Sequence, residues 1–130
     1  MIFFDTSAAV ALADVEDIHH ARAIRAMEEI ASGDLTLLTH NYVLVESAAV
    51  LQRRLGLTSA LSFLDESKTF RVHWVTPEDH TEAVELLERR GKRYLSLVDC
   101  MSFVVMKHYG ITTALAYDSD FQAEGFDALA

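Results

Sequence analysis

The sequence predicts an α/β domain in which a mostly parallel sheet of about four strands carries helices on both faces. Three observations point to it. Short apolar runs of strand length alternate with longer segments whose apolar residues recur at helical spacing, as in strands joined by crossover helices. The length of 130 residues suits a single domain, taken as residues 1–130. Half the residues (51%) are apolar and only five Gly and one Pro interrupt them, enough to bury a core.

Taken in order, Ile2 to Phe4 form a short apolar strand that stops at Asp5 and passes into a helix over Ser7 to Ala13. Ala23, Ile24, Met27 and Ile30 recur at helical spacing and predict a helix over His19 to Ala31, ended by Gly33. Leu35 to Leu38 is the second strand. Asn41 is a cap for a helix reaching Leu55 before Gly56, and Thr58 for another through Leu61 and Leu64. Arg71 to Val75 is the third strand. Thr76-Pro77-Glu78 supplies a cap, a pre-set first residue and an acidic first turn for a helix to Gly91. Ser96 starts the next helix, to Tyr109. The fourth strand is Thr112 to Tyr117, and Asp118-Ser119-Asp120-Phe121 opens a short tail.

No apolar run approaches the roughly 18 residues needed to span a bilayer. Asp5 interrupts the opening apolar stretch and the first basic residue is Arg22, so the positive start of a signal peptide is missing. The one cysteine, Cys100, has no internal partner for a disulfide, which fits a reducing compartment; the expected location is cytoplasmic. A net charge of −9 argues against simple electrostatic binding to nucleic acid. Clustered carboxylates can nevertheless recruit divalent cations that reverse the local sign, and Arg89, Arg90, Lys92 and Arg93 concentrate positive charge in one segment.

Four acids stand out. Asp5 and Asp118 each directly follow a strand, the place where ligands bind in open α/β sheets. Glu46 and Asp99 lie inside the strongly apolar segments Tyr42 to Val50 and Leu95 to Val105, with no Lys or Arg nearby in sequence, so each calls for a compensating partner. Plainer roles exist for every one: Asp5 can cap a helix, Ser96 and Asp99 fit a capping box, Glu46 can favour a helix dipole, and Asp118 with Asp120 can make a turn. Their coincidence in one chain is less ordinary. Converging carboxylates suit Mg²⁺ or Mn²⁺, hard cations that take oxygen ligands and can activate water against a phosphodiester.

The segments Phe4-Asp5-Thr6-Ser7, Asn41 to Glu46, Leu95 to Cys100 and Asp118-Ser119-Asp120-Phe121 followed by Gly125-Phe126 carry a resemblance over nearly the whole chain. Together, and in this order, they resemble the PIN domain, specifically its VapC-like toxin branch of type II toxin–antitoxin pairs. The resemblance implies a PIN-like fold and a Mg²⁺- or Mn²⁺-dependent endoribonuclease in which Asp5, Glu46, Asp99 and Asp118 are catalytic and hold metal. Asp120 is implied as an auxiliary acid, Thr6 as a hydroxyl that orients water or phosphate, and Asn41 and Ser96 as supports for the carboxylates. Arg89, Arg90, Lys92 and Arg93 are candidates for RNA phosphates, or else a solvated helix end. The implied partners are RNA, a small antitoxin laid over helical surfaces such as Ala23 to Ile30 and Leu57 to Leu64, and a second copy in a homodimer.

Two other classes are weighed. A phosphatase of the haloacid-dehalogenase type would use Asp5 as nucleophile, but resembles Asp-x-Asp, and here the third position is Ser7. A catalytically silent PIN-like module that only binds partners is the other. His19 and His20 show no zinc-like spacing with cysteines, and Cys100 and Trp74 read as core residues.

Overall fold

Successive residues of a strand point to opposite faces of a sheet, and in the opening strand this alternation sets the layering of the molecule. The computed structural model describes residues 1–129, ordered as β1 (Ile2–Phe4), α1 (Thr6–Ala13), α2 (His20–Ser32), β2 (Leu37–His40), α3 (Asn41–Leu55), α4 (Leu57–Glu66), a 3₁₀ turn (Ser67–Thr69), β3 (Arg71–His73), α5 (Pro77–Arg90), α6 (Leu97–Tyr109), β4 (Thr113–Leu115), α7 (Asp120–Ala123) and β5 (Asp127–Ala128). The sheet order is β3-β2-β1-β4-β5, with every pairing parallel. Phe3, Leu38 and Ala114 face the layer containing α5 and α6, against Met101, Phe103 and Phe121. Ile2, Phe4, Leu37 and Leu115 face α1, α2 and α4, against Ala26, Ile30 and Phe63. Both faces are therefore covered, as expected for parallel strands joined by helices. Among the described residues no helix is long and apolar enough to cross a membrane.

Several boundaries differ from the sequence expectation, each for a local reason. β2 begins at Leu37 rather than Leu35, because Asp34 takes a left-handed φ of 54° and the Leu35 N–H bonds back to Ile30 O, closing α2. It also runs on through Thr39 and His40, whose polarity hides a buried strand: the Thr39 hydroxyl donates to Phe4 O at 2.9 Å. His40, not Asn41, caps α3, its Nδ1 accepting from Val43 N–H at 3.3 Å. Thr58 is likewise no cap: α4 starts at Leu57 directly after Gly56, whose φ of 102° turns the chain. β3 ends at His73, and Trp74 is 68% exposed, which overturns its reading as core. A fifth strand, β5, was not anticipated; two residues are too few to show a period.

Candidate active site

Parallel pairing brings the ends of adjacent strands together, and β1 and β4 are neighbours. The Asp5 N–H continues their ladder by donating to Leu115 O at 3.2 Å, so Asp5 leaves β1 where β4 runs on to Asp118. Asp99 arrives from a different direction, in the first turn of α6. Ser96 and Asp99 form a reciprocal capping box there: Asp99 N–H donates to Ser96 Oγ at 3.1 Å and Ser96 N–H to Asp99 Oδ2 at 3.0 Å. Asp5, Asp99 and Asp118 each offer a carboxylate oxygen within 4.8 Å of the others. The plainer capping roles are thus real without excluding convergence, since a carboxylate has two oxygens with several acceptor sites.

A side chain that the sequence reading passed over holds this arrangement. Ser7 Oγ donates to Asp5 Oδ2 at 2.6 Å and accepts Tyr117 N–H at 2.9 Å, tying the end of β1 to the end of β4. Its backbone N–H also donates to Asp5 Oδ2, at 3.1 Å. Ser7 stands where a haloacid-dehalogenase-type phosphatase would carry its second acid. Asp118 is fixed by accepting Asp120 N–H at 3.1 Å, the turn anticipated from sequence.

Charge is crowded here. Burial, then the Asp118 charge, pushes the Asp5 carboxyl up to about 7, against the lowering effect of its Ser7 hydrogen bonds. Burial first and the Asp99 charge next raise Asp118 above the usual carboxylate range. Burial first and the Asp120 charge among its neighbours do the same to Asp99, in spite of its hydrogen bonds with Ser96. No Lys or Arg forms an ion pair with any of the three among the described residues. A hard divalent cation is the partner that such an all-oxygen donor set fits.

The three carboxylates open into a cavity of about 450 Å³ whose walls also include Thr6, Glu46, Ser96 and Asp120. Glu46 is partly exposed and lies outside the close trio, on the wall contributed by α3. Asp118, not Asp120, is the member of the trio from the last acidic motif. Thr6 is nearly buried and its hydroxyl accepts from Ser47 Oγ at 3.1 Å. Asn41 does not support the carboxylates: its Oδ1 accepts Val75 N–H at 2.7 Å, securing the chain after β3.

Of the basic candidates, none lines the cavity. Arg90 is taken up by Glu124, with hydrogen bonds of 2.9 and 2.6 Å, so it is a structural tie between α5 and the C-terminal segment. Arg89 and Lys92 are exposed, and Arg93 lies 5.6 Å from the Tyr94 ring centroid, beside a cavity residue. The basic residue in the cavity wall is Arg54, which sequence reading missed. A signal was present, since Glu46, Val50 and Arg54 recur every four residues along one face of α3. Cys100 is fully buried and burial pushes its thiol up to about 11, as befits a core residue.

A family model described as the PIN domain matches residues 2–126. Two curated proteins from two strains of Mycobacterium tuberculosis, each described as 23S rRNA-specific endonuclease VapC20, are 40% identical over 128 residues, spanning 97% of this chain and 95% of theirs. The crystal structure of Mycobacterium tuberculosis VapC20, titled a Sarcin-Ricin loop cleaving toxin, superposes with a TM-score of 0.85 at 36% identity, covering 97% of this chain and 96% of that one.

Proposed function

This chain belongs to the PIN-domain family, in its VapC-like branch, and from that premise we propose that it is the endoribonuclease toxin of a toxin–antitoxin pair, working as one PIN domain in the cytoplasm on a Mg²⁺- or Mn²⁺-dependent mechanism. The observation that carries the reading is the trio Asp5, Asp99 and Asp118, half-buried or buried, with oxygens within 4.8 Å and, among the described residues, no cationic side chain paired to them.

These three residues would hold the cation. When bound, it lowers the pKa of water and neutralises charge on a phosphodiester, so no protein nucleophile is required. The chain's own groups do the rest. Ser7 orients Asp5 through a short hydrogen bond, and Ser96 orients Asp99. Glu46, outside the trio on the cavity wall, accepts a proton from the attacking water, with Asp120 as auxiliary acid. Thr6, at the same wall, directs its hydroxyl to water or phosphate, and Arg54 with Arg93 beside Tyr94 offsets phosphate charge at the rim.

The relatives' description makes 23S rRNA the first substrate to test. An antitoxin and a second copy of the chain are the proposed protein partners. The exposed Leu57, Leu61 and Leu64 of α4 form an apolar stripe that supports antitoxin docking. Of the α2 surface, Ala26 and Ile30 pack into the core over the sheet, whereas Ile24 is exposed.

Calorimetric titration with Mn²⁺, comparing wild type with Asp5→Asn and Asp99→Asn, tests the metal site without a substrate. Binding by wild type alone, together with Mg²⁺-dependent cleavage of 23S rRNA lost in both variants, is the expected result. Equal binding by all three, or none by any, removes the metal mechanism and leaves the silent binding module.

A further inference from the structure

A second, smaller cavity of about 230 Å³ adjoins the carboxylate site, sharing His19, Tyr117 and Asp118 as a common wall and adding Arg22, Ser119 and Gln122. It is below the size of typical sites for drug-sized ligands, roughly 300–1,000 Å³. A single planar fragment suits it better than a whole nucleotide. We propose that it is a nucleobase subsite, receiving the base of the nucleotide next to the phosphate at Asp5, Asp99 and Asp118; this rests on the ribonuclease reading above.

Three features carry the assignment. The rings of His19 and Tyr117 stack at 4.7 Å with an angle of 10° between them, and the Arg22 guanidinium lies 5.4 Å from the Tyr117 centroid. Aromatic faces backed by a guanidinium are the platform on which proteins stack single-stranded bases. The same wall offers the Ser119 hydroxyl and the exposed Gln122 amide, groups that can bond a base edge. Finally, with Arg22 against the lone carboxylate Asp118, this cavity is far less acidic than its neighbour, so the base and its sugar avoid the repulsion that a chain of net charge −9 otherwise presents.

Capping does not account for the His19 ring. It caps no backbone N–H of α2, its Nδ1 instead accepting from Arg22 Nη1 at 3.4 Å, and its backbone N–H is satisfied by Asp17 Oδ1 at 2.8 Å. Nor does hydrogen bonding account for Tyr117, whose hydroxyl is buried without a partner among the described residues. Stacking on each other and the Arg22 guanidinium, which reaches both rings, hold the pair at the shared wall.

The direct test titrates the wild-type chain, with Mg²⁺, with each of the four nucleoside 5′-monophosphates and with ribose 5-phosphate, following side-chain NMR signals of His19 and Gln122. Both signals should move with at least one nucleotide and stay still with the sugar phosphate. No movement with any nucleotide, or equal movement with ribose 5-phosphate, overturns the subsite whether or not the chain cleaves RNA. Where wild type cleaves 23S rRNA, an oligoribonucleotide spanning the mapped bond separates the two readings further. His19→Ala and Gln122→Ala should raise KM, the former roughly tenfold, with kcat nearly unchanged. The penalty should vanish on an RNA made abasic at one side of the bond, which lacks the group the variant no longer contacts. Unchanged KM for both variants, or the same penalty on every abasic RNA, overturns the subsite and leaves the nuclease standing; loss of cleavage and of Mn²⁺ binding by wild type overturns the nuclease instead.

Discussion

Ser7 has one hydroxyl serving two groups, Asp5 and Tyr117, that lie beyond the ends of different strands, and its removal would be felt by both. In Ser7→Ala the Tyr117 N–H loses its partner, which should lower stability by about 1–3 kcal/mol in chemical denaturation. The Asp5 carboxylate loses a donor that favours its charged form, so the pH midpoint for Mn²⁺ binding should move upward as well. An unchanged midpoint would reduce Ser7 to a structural tie. Asp99→Asn separates metal binding from folding in the opposite way. The Asn oxygen can still accept from Ser96 N–H, and the change removes repulsion among clustered carboxylates. The metal-free variant should melt at or above the wild-type temperature while losing all stabilisation by Mn²⁺ and all cleavage. Marked unfolding would mean that Asp99 serves the helix alone.

At the level of elements, α3 depends on an uncommon cap. His40 is fully buried, its Nδ1 accepts Val43 N–H, and its Nε2 donates at 2.9 Å to Ser102 Oγ, which in turn donates to Val98 O. That pattern requires a neutral ring with the proton on Nε2. Burial, then the nearby His73, holds the imidazole down to about 3. His40 thereby joins β2, α3 and α6, the helices that carry Glu46 and Asp99. His40→Ala should cost about 2–4 kcal/mol from the lost cap, the unpaired Ser102 and the space vacated. His40→Asn, which can still cap, should recover roughly 1 kcal/mol of that in urea denaturation.

Across the whole molecule, two buried groups titrate in opposite senses. Asp5 is raised from 3.8 to about 7, so the folded chain keeps a proton that the unfolded chain has released, and the stability this gives is lost as pH rises through about 7. His40 is lowered from 6.5 to about 3, so its neutral form gives stability that is present above 6.5 and lost as pH falls towards 3. Between about pH 4 and 6.5 the two slopes, each of about 1.4 kcal/mol per pH unit, oppose one another. Asp99 and Asp118 are shifted in the same direction as Asp5, so metal-free wild type should lose stability gently as pH rises. His40→Asn should steepen that fall, and Asp5→Asn should weaken it. Urea midpoints in chelator at several pH values check all three. Saturating Mn²⁺ should erase the decline of wild type, because the cation binds only the folded, deprotonated cluster.

The sequence by itself determined the alternation of strands and helices, the two-sided cover of the sheet and the acids worth watching, because apolar period, caps and strand ends are local properties written in neighbouring residues. It could place Asp5 and Asp118 beyond strand ends and Asp99 in a first helical turn. Only the tertiary structure decided that β1 lies between β2 and β4, which is what brings Asp5, Asp99 and Asp118 within 4.8 Å while leaving Glu46 on the wall. The same packing turned Arg90 to Glu124, sent Asn41 to Val75 and put Arg54, Tyr117 and His19 at the site. Those outcomes depend on contacts between residues far apart in sequence, where many pairings satisfy the local pattern equally well and the cooperative burial of both sheet faces selects one.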